Sequence, residues 1–292
     1  MLNVVDKYCW DDDYKILTPA QTGVPALRTF GLDARRHASQ PLTPHIHQNC
    51  MEIVFLLSGF QVYEAAGASF SLSGYDIFVS YPNEPHSSDG CLNNVCNVIW
   101  MQIDLSPDLP LLGLSKERSR QLRQSLLNLP RISGGDDALR RMLTDAFFAL
   151  AGQNEFERFC GEQLLVCALQ RIVKNAVQPS PNHSGRIGDA LEYIRDHLGE
   201  TLPLEDVAAA SGLSLSRFKT CFKAETGITP REYINQLKIR QAARMLAEGV
   251  SVTETAMALG FTTPNYFSVL FRKYTCQSPS QYIRSLQRRQ PQ

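Results

Sequence analysis

At 292 residues the chain is too long for one ordinary core, so two domains are expected; with 43% hydrophobic and 20% charged residues and no apolar stretch approaching a membrane span, it reads as soluble and cytoplasmic. The N-terminal MLNVVDKYCWDDD lacks a basic lead followed by an apolar run, so no export signal is expected, and eight cysteines without a CxxC pair read as reduced thiols. The formal charge of zero joins unlike ends: residues 1–112 carry five Lys/Arg against twelve Asp/Glu, while from Val207 onward twelve Lys/Arg face four Asp/Glu, which points the C-terminal end toward a polyanion.

In chain order, residues from about 24 to 104 read as strands. Ile53-Val54-Phe55-Leu56-Leu57 is a β-rich run ended by Ser58-Gly59, and Ala66-Gly67, Ser73-Gly74 and Pro82-Asn83 follow as turn signals. Short strands separated by regular turns indicate a sandwich or barrel. Within them stands His45-x-His47, then after four residues Glu52, after six more Gly59, and downstream Gly74 and His86. This spacing resembles the cupin barrel. The resemblance implies that His45, His47, Glu52 and His86 converge on one pocket, where three imidazoles and a carboxylate can hold Zn, Fe, Mn, Ni or Cu. Pro82-Asn83-Glu84-Pro85-His86 departs from the metal-binding pattern, being one residue shorter and lacking an internal Gly. Three readings stay open: a divalent metal, contact with a small-molecule effector without metal and with no cofactor required, or a structural role. Trp100 and Gln102, two apart on a late strand, are candidates to face the same pocket; a core role for Trp100 is the alternative.

From 113 to 176 the period becomes helical. Leu139, Met142, Leu143, Ala146, Phe147 and Leu150 form one helix face, and Leu164–Leu169 with Ile172 and Val173 is apolar on most sides. Such a helix is covered on most sides, either between a barrel and a second subunit, which would make this a dimerisation segment, or within one chain. Residues 177–186 interrupt both periodicities with prolines, serines, Asn and Gly and read as a linker.

Beyond the linker the chain repeats itself. GLSLSRFKTCFKAETGITPREYI begins at Gly212 and GFTTPNYFSVLFRKYTCQSPSQYI at Gly260; Phe218, Phe222, Pro230 and Tyr233 recur 49 residues later as Phe267, Phe271, Pro279 and Tyr282. Each copy has helix-turn-helix logic: small residues, a Gly turn, an N-cap at Ser214 or Thr263, then a helix with a buried aromatic stripe. Ser216, Lys219, Thr220 and Lys223 are left facing out in the first copy, and Asn265, Ser268, Val269 and Arg272 in the second. Hydrogen bonders, cations and one methyl-bearing side chain suit base edges and phosphates. Pro230 to Glu248 reads as one helix of about 28 Å, near the 34 Å or so of one DNA turn.

The segment from about 187 to 286 resembles the DNA-binding domain of AraC/XylS-type transcription regulators, most specifically in A256-x-x-L-G-F261, Y266-F267-x-x-x-F271-R272-K273 and S278-P279-x-x-Y282. Thr275-Cys276 stands where a Gly usually follows the second recognition helix. The resemblance implies an activator or repressor with an N-terminal sensor and dimeriser. Its partners would be a double-stranded DNA operator, RNA polymerase, a second copy of the chain and a small-molecule effector such as a sugar derivative. The expected fold is multidomain α+β: a cupin-like barrel or jelly roll (1–112), a helical dimerisation segment (113–176), the linker (177–186) and an all-α domain with two helix-turn-helix units (187–292). Two other classes compete: a metal-dependent cupin enzyme with an appended DNA-binding module, and a helical protein-interaction module.

Overall fold

The computed structural model describes residues 2–34, 41–88, 95–177 and 184–287. They divide into two compact units, one holding 2–34, 43–88 and 96–177, the other 41–42, 95 and 184–287. No helix among the described residues is long and apolar enough to cross a membrane.

The first unit is a curled sheet backed by helices. Its strands are β1 (Leu2–Asn3), β2 (Cys9–Trp10), β3 (Tyr14–Leu17), β4 (Leu27–Ala34), β5 (His45–Ile46), β6 (Cys50–Ala65), β7 (Ala68–Ser73), β8 (Asp76–Ser80), β9 (His86–Ser88), β10 (Cys96–Asp104) and β11 (Ile132–Gly134). The order is β1-β5-β9-β6-β10-β4-β3-β2, with β7 and β8 also paired to β6, and β11 to β8. Strands thus begin before residue 24, and β11 interrupts the segment expected to be helical, because it completes the edge of β8.

The long strand β6 organises the sheet. Its first half pairs with β10 and β8, its second with β7 and β9. Ser58-Gly59, expected to end a strand, instead continues it, paired with Asn97 and Cys96 directly after a bulge at Leu57. The register against β10 shifts between Asn97 and Val98, and Gly59 takes a φ of 95°. Glycine permits that backbone, which bends the strand without ending it. Ala66-Gly67 is the true turn: both residues have positive φ, 50° and 75°, as a two-residue hairpin requires.

Alternation gives the sheet two faces. Ile53, Phe55, Ile77, Val79, Ile99 and Met101 face the helices; Val54, Leu56, Phe78, Val98 and Trp100 pack on the concave side with Ile16 and Tyr63. The helical layer is α2 (Lys116–Leu127), α3 (Asp137–Ala151) and α4 (Glu155–Val177), after a short α1 (Pro19–Thr22). Asp136 caps α3 by accepting the Leu139 N–H at 2.8 Å and also binds Arg171 of α4 at 2.7 Å, which locks the two helices together. The apolar run of α4 finds its cover inside the chain: Leu165, Val166, Ala168, Leu169 and Ile172 are buried in the same core as Phe55 and Phe147. Periodicity shows that a helix is covered, not by what.

The second unit contains α5 (Gly185–Asp196), α6 (Leu204–Ala210), α7 (Leu215–Thr226), α8 (Pro230–Ala247), α9 (Val252–Ala258), α10 (Pro264–Thr275) and α11 (Pro279–Gln287). Most of the expected linker lies outside the described residues. Its edges are helical: Val177 ends α4, and Gly185 and Arg186 open α5 because the Ser184 hydroxyl accepts the Ile187 N–H. The sequence repeat is a repeat of caps and cores. Thr226 and Thr275 each bring Oγ1 to 2.8 Å from the carbonyl four residues back, Phe222 and Phe271. The recurring [TS]-P-x-x-Y is a capping box with proline in the first turn: Thr229 with Glu232, Ser278 with Gln281. Thr263 caps α10 through its side chain, whereas Ser214 holds the N-cap position of α7 without a side-chain bond. Cys276 adopts the left-handed conformation of Gly227, φ 58° against 77°, and its N–H still reaches the Arg272 carbonyl. The missing glycine leaves the turn intact.

Candidate DNA interface and candidate metal centre

α7 and α10 occupy equivalent places at the two ends of α8. Phe218 and Phe222 anchor α7 and Phe267 and Phe271 anchor α10, all fully buried. Anchoring one face fixes what the other presents. Ser216, Lys219, Thr220 and Lys223 are exposed on α7; Asn265, Val269 and Arg272 are exposed on α10, with Ser268 half-buried. Val269 is 69% exposed, unusual for an aliphatic side chain and suited to a thymine methyl. The eighteen residues of α8 stand between the two helix-turn-helix units in the chain and make a helix about 27 Å long.

Neighbouring side chains absent from the expected set share these surfaces. Arg217, Tyr266 and Lys273 are exposed on the same helices. Arg231, in the first turn of α8, joins Lys219, Lys223 and Thr229 in lining a surface hollow beside α7. A cation directly after the proline that starts a helix was the readable signal for Arg231.

In the first unit the structure brings His45, His47, Glu52 and His86 together. His45 pairs with His86 across β5 and β9, and Glu52 lies opposite Gln102 across β6 and β10. One donor atom from each of the four lies within 4.8 Å of every other. The imidazoles are between 5% and 7% exposed.

Every histidine Nδ1 faces a backbone carbonyl: His45 with Thr43 at 2.7 Å, His47 with Val4 at 3.0 Å, His86 with Glu84 at 3.1 Å. Only a protonated Nδ1 satisfies a carbonyl, so in the neutral rings all three Nε2 lone pairs face inward. There the Glu52 carboxylate lies 2.8 Å from His47 Nε2 and 3.1 Å from His86 Nε2. Inward lone pairs against a carboxylate require a positive charge between them, a proton or a metal ion. Burial works against charge at both Glu52 and His47, but their mutual attraction prevails: Glu52 is held well below the usual carboxylate range and the His47 pKa is raised. Burial lowers the pKa of His45. Outer hydrogen bonds of this kind orient metal-ligating histidines, so the donor set fits a divalent ion.

Gln102 is tied into the cluster. Its Nε2 lies 3.1 Å from His47 Nε2 and donates to Asp6 Oδ2 at 2.8 Å, while its Oε1 accepts from Thr29 Oγ1 at 3.0 Å. Asp6, which sequence reasoning missed, arrives because β1 runs parallel beside β5. Burial, reinforced by the Glu52 charge, raises its pKa. Trp100 is packed in the apolar cluster of its face. It stacks on Tyr14 at 5.4 Å and lies flat over Gly31, where any Cβ would meet the indole at 2.2 Å.

A family model described as a helix-turn-helix domain matches residues 190–285. The HTH-type transcriptional activator RhaS of Klebsiella pneumoniae is 24% identical over 245 residues, 82% of this chain and 87% of that protein. The RhaS of Escherichia coli K12 is 26% identical over 241 residues, 81% of this chain and 86% of that one. Among solved structures, the C-terminal domain of AraT, a response regulator from Geobacillus stearothermophilus, is 31% identical, covering 35% of this chain and 86% of that chain with a TM-score of 0.34. These relatives are transcription regulators and lend no support to the enzyme alternative. With similarity to such activators running through most of its length, and a helix-turn-helix match over residues 190–285 that spans α7 and α10, the chain belongs to the AraC/XylS family of DNA-binding transcription regulators.

Proposed function

We propose that the protein is a cytoplasmic, ligand-responsive regulator that reads an operator with α7 and α10 together and senses its effector at the histidine cluster of the first unit. The observation that carries the DNA half is the matched exposure on α7 and α10 of seven hydrogen-bonding, cationic or methyl-bearing side chains, with Ser268 half-buried among them. Lys219, Thr220, Ser268 and Val269 are assigned to bases, and Lys223 and Arg272, one turn further along, to phosphates. Binding titrations against salt test this. Lys223→Ala and Arg272→Ala should each weaken all sequences alike and flatten the salt slope by about one unit. Unchanged slopes in both would remove the phosphate assignment.

For the sensing half, we assign His45, His47, Glu52 and His86 to a divalent ion, with Gln102 and Asp6 as their supports. The inward lone pairs favour this over direct effector contact by the side chains alone. A bound ion would supply the positive charge that draws the donors together and would hold an oxygen atom of an effector such as a sugar derivative. RNA polymerase is the remaining partner in this reading. A homodimer, no longer motivated by Leu164–Val173, would use what α3 and α4 leave outside: Phe148, Phe156 and Phe159 are 49%, 73% and 56% exposed. Light scattering should give twice the 32.7 kDa chain mass. A monomer at every accessible concentration, with or without DNA, would exclude the dimer.

A further inference from the structure

The second unit holds two small aromatic cores, Phe218, Phe222 and Tyr233 on one side and Phe267, Phe271 and Tyr282 on the other. Helix α8 runs between them, and near its middle is Lys238. This side chain is only 5% exposed, although lysine is rarely buried without a partner. Its ammonium donates to the Glu200 carbonyl at 2.6 Å and to the Leu259 carbonyl at 2.7 Å, with the Phe261 ring 5.5 Å away. Glu200 lies in the loop between α5 and α6, in the half that carries α7. Leu259 is the C-cap of α9, in the half that carries α10. A single ammonium therefore ties both halves to the helix between them.

The backbones close in around it. A Cβ on Gly260 would stand 2.5 Å from the Glu200 carbonyl carbon and 2.6 Å from its oxygen. One on Gly199 would meet the Ala258 oxygen at 3.1 Å. Gly260 is the turn between α9 and α10, so the loop that leads into the first helix-turn-helix rests on the turn of the second. A hydrophobic side chain of similar length would fill the space without the cost of burying a cation. It could not hold two carbonyls from two elements in one geometry.

We infer that Lys238 is a positioning residue: it fixes the orientation of α10 relative to α7 and thereby sets the spacing between the two parts of the DNA site that the protein accepts. The inference rests on the two-headed reading of DNA proposed above. Two linked heads gain affinity only where both reach their sites at once, so a rigid pair punishes a change of spacing and a loosened pair tolerates it.

The probe is a duplex selected by the wild-type protein from a random pool, and the same duplex with two base pairs inserted between the two protected stretches. The wild-type protein should lose on the order of 10–100-fold in affinity on the lengthened duplex. Lys238→Met should bind the selected duplex more weakly and discriminate between the two by less than about 3-fold. Lys238→Arg, which can still donate to two carbonyls, should restore discrimination. Gly260→Ala, which forces the same junction apart with Lys238 in place, should lose it. Lys238→Met and Gly260→Ala proteins of native helical content that discriminate like the wild type would overturn the inference. Loss of helical content in both would also overturn it, by making the junction part of the fold rather than a positioning device. A wild-type protein that selects a single-part site would instead overturn the two-headed reading.

Discussion

Phe271→Ala should destabilise the second unit by about 3–5 kcal/mol and abolish the contribution of α10 to DNA binding. The ring is fully buried and meets Phe267 and Tyr282 at centroid distances of 5.6 Å each, in the cluster that joins α8, α9, α10 and α11. Removing it takes away both its burial and the surface against which α10 and α11 are set. A whole domain is stable by only about 5–15 kcal/mol. Both tryptophans, Trp10 and Trp100, lie in the first unit, whose cores share no member with this cluster. The share of the helical circular-dichroism signal carried by α5–α11 should therefore be lost at lower denaturant, while the share carried by α2–α4 and the tryptophan fluorescence transition stay in place. Equal shifts in both signals would mean that the units do not unfold separately.

The second large effect concerns the histidine cluster. Protein purified without chelator should carry close to one divalent ion per chain, and Glu52→Gln combined with His47→Ala should reduce that to background. Gln102→Leu should keep the four donors but weaken the ion by about 10–100-fold, as expected when a ligand's support is removed. Elemental analysis and competition with a metallochromic chelator read both. A wild-type stoichiometry near zero, with no uptake on adding Zn, Mn, Ni or ferrous ion, would leave effector contact without metal as the better reading.

The contrast between the two units shows what a sequence discloses. The helix-turn-helix pair was legible because its determinants are local: aromatic pairs four residues apart, a capping box on each return helix and a 49-residue offset between copies. Even the exposed faces of α7 and α10 followed from the buried ones. In the first unit the determinants are long-range. His45-x-His47 and Glu52 advertise themselves by spacing, but Asp6 reaches the cluster only through the parallel pairing of β1 with β5. Trp100 and Gln102 look alike to a two-residue alternation and do share a face. Gly31 beneath the indole and Tyr14 beside it make one a core residue, and the Glu52 register makes the other a support. Ser58-Gly59 misled because the positive φ that glycine permits in a turn here bends a strand that continues beyond a bulge at Leu57.

The most direct measurement is footprinting of wild type, Lys219→Ala and Ser268→Ala on a duplex selected by the wild-type protein. Two reading helices joined through α8, itself about 27 Å long, should protect two stretches roughly one helical turn from each other. Lys219→Ala should relax base preference in one stretch only and Ser268→Ala in the other only, each at a cost of about 1–3 kcal/mol. A single protected stretch, or three proteins with the same affinity and the same base preferences, would contradict the assignment of α7 and α10 as the reading helices.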